Sequence, residues 1–231
     1  MRIKKALPSR PTKTNWGFFK MDKKEKAEKV ALLLQKEHPF PKTELVHSDE
    51  YQLAVSVMLS AQTTDKKVNQ VTPALFAKFP DWEALASADI NEVASLIRQV
   101  NFYKGKAQRI IGAARTVLSL YAGALPRDMT KLMKLPGVAR KSANVIMQEL
   151  WGIAEGIVVD THVSRVSARL GLTSKKDPKK IEEELMNLLS KKYWRNFSGS
   201  TVLHGRYVCT ARKPKCGECV LNEICPSAYK V

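Results

Sequence analysis

Apolar residues recur along most of the chain at the three-and-four spacing of an amphipathic helix. Residues 23–36 place Val30, Leu33 and Leu34 on one face and charge on the others. Residues 49–62 begin behind Ser48 or Asp49, either of which suits an N-cap, and would bury Leu53, Val57 and Met58. Residues 65–71 read as helical, and Thr72 followed by Pro73 has the form of a cap and a first-turn proline. A new helix is therefore expected from there to residue 79. Further helices are predicted over 89–99, 105–121 and 141–151, and Asp177 with Pro178 opens one that runs to residue 190. Strand-like alternation is scarce, and the β-rich stretch at 157–159 is too short to build a sheet. The pattern predicts an all-α fold without a fixed-period repeat or a low-complexity linker.

At 231 residues, 44% of them hydrophobic, the chain can bury a sizeable core as one large domain or two small ones. No run reaches the roughly 18 apolar residues of a membrane-spanning helix. The basic N-terminus lacks the apolar stretch of a secretory signal, so a cytoplasmic protein is expected. Residues 1–20 read as a solvated basic tail, with a transit peptide as the alternative. Charge changes the picture more. Thirty-nine Lys and Arg against 22 Asp and Glu give a net +17 and a pI near 9.8. Such an excess points to a polyanionic partner, because each neutralised phosphate releases counterions. A salty or hot habitat, or association with the ribosome, would leave the same imbalance.

Three local features narrow the chemistry. In Leu135-Pro136-Gly137-Val138-Ala139-Arg140-Lys141, Pro136 stops one helix and Gly137 permits the positive φ of a tight reversal. The next helix would start with its free N–H groups outward, an anion site to which Arg140 and Lys141 add charge. Lys141 is a candidate nucleophile, since an amine attacks when deprotonated. Arg140, the positive helix end and the net charge all disfavour its protonated form. Asp160, after Ile157-Val158-Val159, is a candidate carboxylate at a helix start. On spacing alone, Lys141 is equally a phosphate contact and Asp160 an N-cap. All four cysteines fall within seventeen residues as Cys-x6-Cys-x2-Cys-x5-Cys: Cys209, Cys216, Cys219 and Cys225. Clustered thiols in a cytosolic chain suit a metal rather than disulfides, either zinc or iron–sulfur.

The Leu135–Lys141 segment resembles the helix-hairpin-helix of the DNA-glycosylase superfamily, specifically that of the endonuclease III family. Leu59-Ser60-Ala61-Gln62-Thr63-Thr64-Asp65, Val159-Asp160-Thr161-His162-Val163 and Leu203-His204-Gly205-Arg206 are similar to family motifs in the same order, over roughly residues 25–228. The resemblance implies a six-helix domain at 43–151, with 1–42 and 152–231 joining as a cluster domain and a DNA-binding cleft between them. It implies a 4Fe–4S cluster on the four cysteines, whose loop spacing matches.

It further implies a bifunctional DNA glycosylase and abasic-site lyase, with Lys141 as nucleophile and Asp160 as its carboxylate. The partner would be duplex DNA carrying oxidised pyrimidines or abasic sites, met by a monomer. By alignment Gln62 would fill the space of an extruded nucleotide, and Phe102 stands where the family inserts an apolar wedge; its alternative is core packing. The hairpin residues Leu135, Gly137, Ala139 and Arg140 would meet the DNA backbone, as would Arg212, Lys213 and Lys215 in the cysteine loop. Asp65 and His162 are candidate pocket groups, and Met133 lies where some members carry an acid. One departure bears on the chemistry: Ala139 replaces a second hairpin glycine. The adenine-excising relatives generally lack the Lys at position 141 and use a Glu that the segment around Gln62 does not have, so adenine excision is the weaker alternative. A cluster-bearing protein that binds damaged DNA without cutting it is a further alternative.

Overall fold

The computed structural model describes residues 21–39 and 41–231, so the reading of residues 1–20 as a basic tail or transit peptide lies outside the described residues. Among these residues the protein is entirely helical, with no strand. In chain order the helices are α1 (Lys23–Glu37), α2 (Glu50–Leu59), α3 (Asp65–Lys78), α4 (Trp82–Ala86), α5 (Ile90–Leu96) and α6 (Tyr103–Tyr121). They are followed by α7 (Met129–Leu132), α8 (Arg140–Trp151), α9 (Thr161–Arg169), α10 (Pro178–Leu188) and α11 (Lys191–Tyr207). The starts are dictated locally. Asp22, Asp49, Thr64, Asp81, Asp89, Asp128, Asp160 and Asp177 each sit at an N-cap and accept backbone N–H bonds two or three residues on. Each such cap is worth about 1 kcal/mol.

Buried apolar side chains form two clusters. One is built around α2, apolar on nearly every face, with α3, α5, α6 and α8 packed about it. The other joins α1 to α9, α10 and α11, so Ala27, Val30 and Leu34 share a core with Val163, Ile181 and Phe197. The chain thus crosses between the two clusters twice, at residues 38–50 and at 152–160, and the groove between them opens there.

The structure corrects two expected boundaries. No helix restarts at Thr72: α3 runs unbroken through Pro73. Thr72 is buried rather than capping, and Val68, Val71 and Leu75 bury on either side of the proline. Their burial, at roughly 1.5–3 kcal/mol per side chain, offsets the roughly 3 kcal/mol cost of an interior proline. The second helix ends at Leu59, short of the expected residue 62, because Gln62 turns left-handed with φ +54°. Helix α11 carries no clear apolar stripe because its buried face includes Ser198, Ser200, Thr201 and His204. It lies so close to the 38–50 crossing that a Cβ at Gly199 would stand 2.6 Å from Pro41.

Candidate active site and cysteine loop

The hairpin is built from short-range bonds: Leu135 N–H donates to Leu132 O and Val138 N–H to Leu135 O. Leu135 and Val138 are buried and anchor the turn from inside. Gly137 has φ +86°, and a Cβ there would lie 3.0 Å from the Arg109 side chain, so both backbone and space require glycine. Ala139, by contrast, is the N-cap of α8 with φ −88° and is exposed. Its methyl costs the backbone nothing. Arg140 turns toward the second cluster, donating to Glu155 O (3.1 Å) and pairing with Glu182 (3.2 Å).

Lys141 follows on the exposed first turn of α8. Asp160 is the N-cap of α9, where its Oδ1 accepts from the N–H groups of His162 and Val163, each at 2.8 Å. Both side chains line one open cleft of about 630 Å³ between the two clusters, together with Gln62, Asp65, His162 and Arg206. A second cavity of about 180 Å³ shares Lys141, Asp160 and Asp65 and runs on to Gln148, Glu149 and Ser198. The Glu149 carboxyl is pushed up by burial, only partly countered by a backbone hydrogen bond from Thr43 and the charges of Arg195, His47 and Lys42. Asp65 is bonded to the Arg206 guanidinium (2.7 Å), and Arg206 also pairs with Glu44. His162 is half-buried with its Nδ1 3.2 Å from Arg165 Nη2.

Phe102 does not line the Lys141 cleft. It stands 69% exposed at the foot of α6, which excludes core packing, and its φ of +58° is left-handed. With Gln62, Arg109 and Lys106 it lines a neighbouring hollow of about 620 Å³. Gln62 is common to both.

The four cysteines, all unpaired, surround one small cavity after α11. The donor set fits a cluster. Arg169 Nη1 points at Cys209 Sγ (3.3 Å), Leu221 N–H donates to Cys219 Sγ (3.4 Å), and His204 Nε2 lies 3.5 Å from the same sulfur. Burial, with Cys209 and Cys225 nearby, pushes the Cys219 thiol up to about 11, so thiolates here need a bound cation. Four thiols around one cavity supply the donor set of either a zinc ion or an iron–sulfur cluster. Arg212, Lys213 and Lys215 are exposed between the first two cysteines, and the Thr210 hydroxyl braces the loop on Arg212 O (2.7 Å) and Lys213 O (3.2 Å).

Residues 55–191 match the model of the HhH-GPD superfamily base excision DNA repair proteins, and residues 209–225 that of the iron–sulfur binding domain of endonuclease III. Endonuclease III of Synechocystis sp. is 48% identical over 206 residues, covering 89% of this chain and 94% of the relative. The chain belongs to the endonuclease III family. Two solved family structures superpose closely. A non-covalent endonuclease III–DNA complex has a TM-score of 0.82 at 36% identity, over 90% of this chain and 97% of that one. A trapped covalent endonuclease III–DNA intermediate has a TM-score of 0.83 at the same identity and coverage. Like the family, the protein carries a 4Fe–4S cluster.

The sequence alone assigns no role to Arg206, although it closes a family motif, and gives none to Arg169 or Lys106. Arg169 donates to the carbonyls of Thr210 (2.7 Å) and Ala211 (3.0 Å) besides its cysteine contact. Lys106 did leave a signal: it occupies the stripe of Ile110, Ala113 and Val117, where a buried side chain is expected.

Proposed function

We propose that the protein excises oxidised pyrimidines from duplex DNA through Lys141 and Asp160, acting as a monomer on the nucleoid. The general activity, that of a DNA glycosylase and abasic-site lyase of base excision repair, follows from family membership. The observation that carries the finer reading is that Lys141 and Asp160, from separate helices, line the same cleft between the two clusters. The unprotonated Lys141 Nζ attacks C1′ of the extruded nucleotide as the C1′–N bond breaks, and the base leaves with a proton. Asp160 offsets the positive charge that grows on the sugar and accepts the amine proton. Ring opening gives an imine between Nζ and C1′. Loss of a C2′ proton then expels the 3′-phosphate, so the strand is cut 3′ to the abasic site. Hydrolysis of the imine frees Lys141.

The four cysteines hold the cluster, which supplies a rigid anchor rather than bond-breaking chemistry. Arg212, Lys213 and Lys215 then meet the phosphate backbone, as do the N–H groups of α8 behind Ala139. Gln62 and Phe102 enter the duplex, Gln62 filling the gap and Phe102 wedging the stack. Asp65 and His162 border the pocket. The fold divides at 43–151 for the helical domain and at 1–42 with 152–231 for the cluster domain, of which residues 1–20 lie outside the described residues; the two buried clusters support this division.

Borohydride reduction in the presence of abasic DNA is expected to trap a covalent adduct. Lys141→Gln should abolish the adduct while DNA binding persists. Undiminished trapping in that variant would remove Lys141 from the mechanism. A panel of thymine glycol, dihydrouracil, 8-oxoguanine and abasic oligonucleotides tests the substrate range, and sedimentation tests the monomer.

A further inference from the structure

Two residues without glycine's freedom, Gln62 and Phe102, hold left-handed backbone at neighbouring points of the surface, and both side chains are exposed. Such conformations persist where the surroundings over-determine them. The surroundings converge on one side chain. Lys106 is 4% exposed, and its ammonium donates to Leu59 O (2.7 Å), Ala61 O (2.6 Å) and Thr63 Oγ1 (3.0 Å). Three donors meet three acceptors, which together close the end of α2 and flank Gln62 on both sides. The Lys106 N–H donates to Phe102 O (3.0 Å), closing the first turn of α6 on the other left-handed residue. Asn101 completes the link, its Nδ2 donating to Gln62 O (2.6 Å) and its N–H to Thr63 Oγ1 (3.3 Å).

We propose that Lys106 is a positioning residue, locking Gln62 and Phe102 into one preformed unit that enters the duplex when the target nucleotide is extruded. This rests on the reading that Gln62 and Phe102 enter the DNA. Burial, reinforced by Arg109, brings the Lys106 ammonium down to about 8, so at neutral pH it keeps all three donors. An apolar side chain would fill this stripe of α6 at a lower desolvation cost, but it would leave the Leu59 and Ala61 carbonyls without this donor and the Thr63 hydroxyl oxygen with the Asn101 N–H alone. The geometry it fixes is the pairing of filler and wedge. Lys106 lies outside the cleft that holds Lys141 and Asp160.

The test separates extrusion from bond breaking. Lys106→Met keeps the length and removes the donors. Single-turnover excision of a lesion from duplex DNA should fall by roughly 10- to 100-fold, the scale of a small misplacement of positioned groups. Cleavage of an abasic site in a single-stranded oligonucleotide, which needs no extrusion, should stay within about twofold, because the chemistry of Lys141 is untouched. A 2-aminopurine beside the lesion should lose its fluorescence step. Lys106→Gln, with two donors, should recover part of the loss, and it carries the same comparison if the Met variant melts too early. In a Gln62→Ala/Phe102→Ala background, Lys106→Met should cost nothing further. Equal losses on both substrates, or full additivity in that background, would overturn the proposal. If the Gln62 and Phe102 variants lose excision but Lys106→Met does not, the brace alone is wrong. If they excise normally, the duplex-entry reading falls and the brace falls with it.

Discussion

The two halves of the molecule are held together by different means. Around α2 the core closes mainly by apolar packing, with a few buried hydrogen bonds: Tyr51 stacks edge-on against Phe76 and Trp82, and its hydroxyl donates to Phe79 O at 2.7 Å. The α1–α9–α10–α11 core has roughly half as many buried apolar side chains. Beyond α11 the chain has almost nothing to bury: between residues 208 and 231 Leu221 alone is a core side chain. Arg165 and Arg169 reach across to its carbonyls, and four thiols face a common cavity. The contrast teaches that a short segment poor in apolar residues can be made rigid by a metal cluster where packing cannot do it. Arg212, Lys213 and Lys215 stand exposed on that segment.

Breaking the weaker half should have the largest effect. Cys219→Ser should abolish the visible iron–sulfur absorption and cost the cluster half several kcal/mol, on the order seen for structural metal sites. Hydrogen exchange should accelerate over α9, the end of α11 and residues 208–231, and remain slow over α2 and α8. DNA affinity should fall before the rate of the bond-breaking step does. Uniform acceleration through both halves would show that they are one folding unit.

The seam between the halves comes next. Arg206 on α11 pairs with Asp65 on α3 and with Glu44 in the crossing segment, and all three are partly exposed. Arg206→Met leaves the Asp65 and Glu44 carboxylates without their shared guanidinium, and because all three groups are partly exposed the loss should be about 1 kcal/mol. Chemical denaturation of Arg206→Met, Asp65→Asn and the double variant should give a non-additive cycle, and strict additivity would break the link.

How much of this was legible in the sequence depends on the range of the interaction. Caps are local, so Asp49 and Asp177 announced their helices, and Gly137 announced the hairpin. The ordered motifs and the cysteine spacing carried the family. Pro73 misled because local chemistry favours a helix start there, whereas burial on both sides of it decides otherwise. The roles of Arg206, Arg169 and Lys106 were hidden for a related reason: their partners lie some 40 to 140 positions away. The same distance hid α11, whose buried serines and threonine break the apolar pattern. The exposure of Phe102 likewise needed the fold, since a phenylalanine beside Val100 and Tyr103 reads equally well as core.

The smallest expected effect sharpens the seam rather than breaking it. Glu149 lies where α8 meets the first crossing, with a carboxyl raised above its ordinary value chiefly by burial. An acid whose folded pKa is raised is penalised in its charged form, so it lowers stability at pH above that value. Below its ordinary value of 4.5 it is protonated in both folded and unfolded states, and the penalty vanishes. Glu149→Gln keeps an acceptor for the Thr43 N–H and removes the charge. The variant should therefore melt higher than the parent at pH 7, and the two curves should converge as the pH approaches 4.5. A parent that is the more stable of the two at pH 7 would show that Arg195, His47 and Lys42 outweigh the burial. The carboxylate would then bind the two halves together instead of straining the join between them.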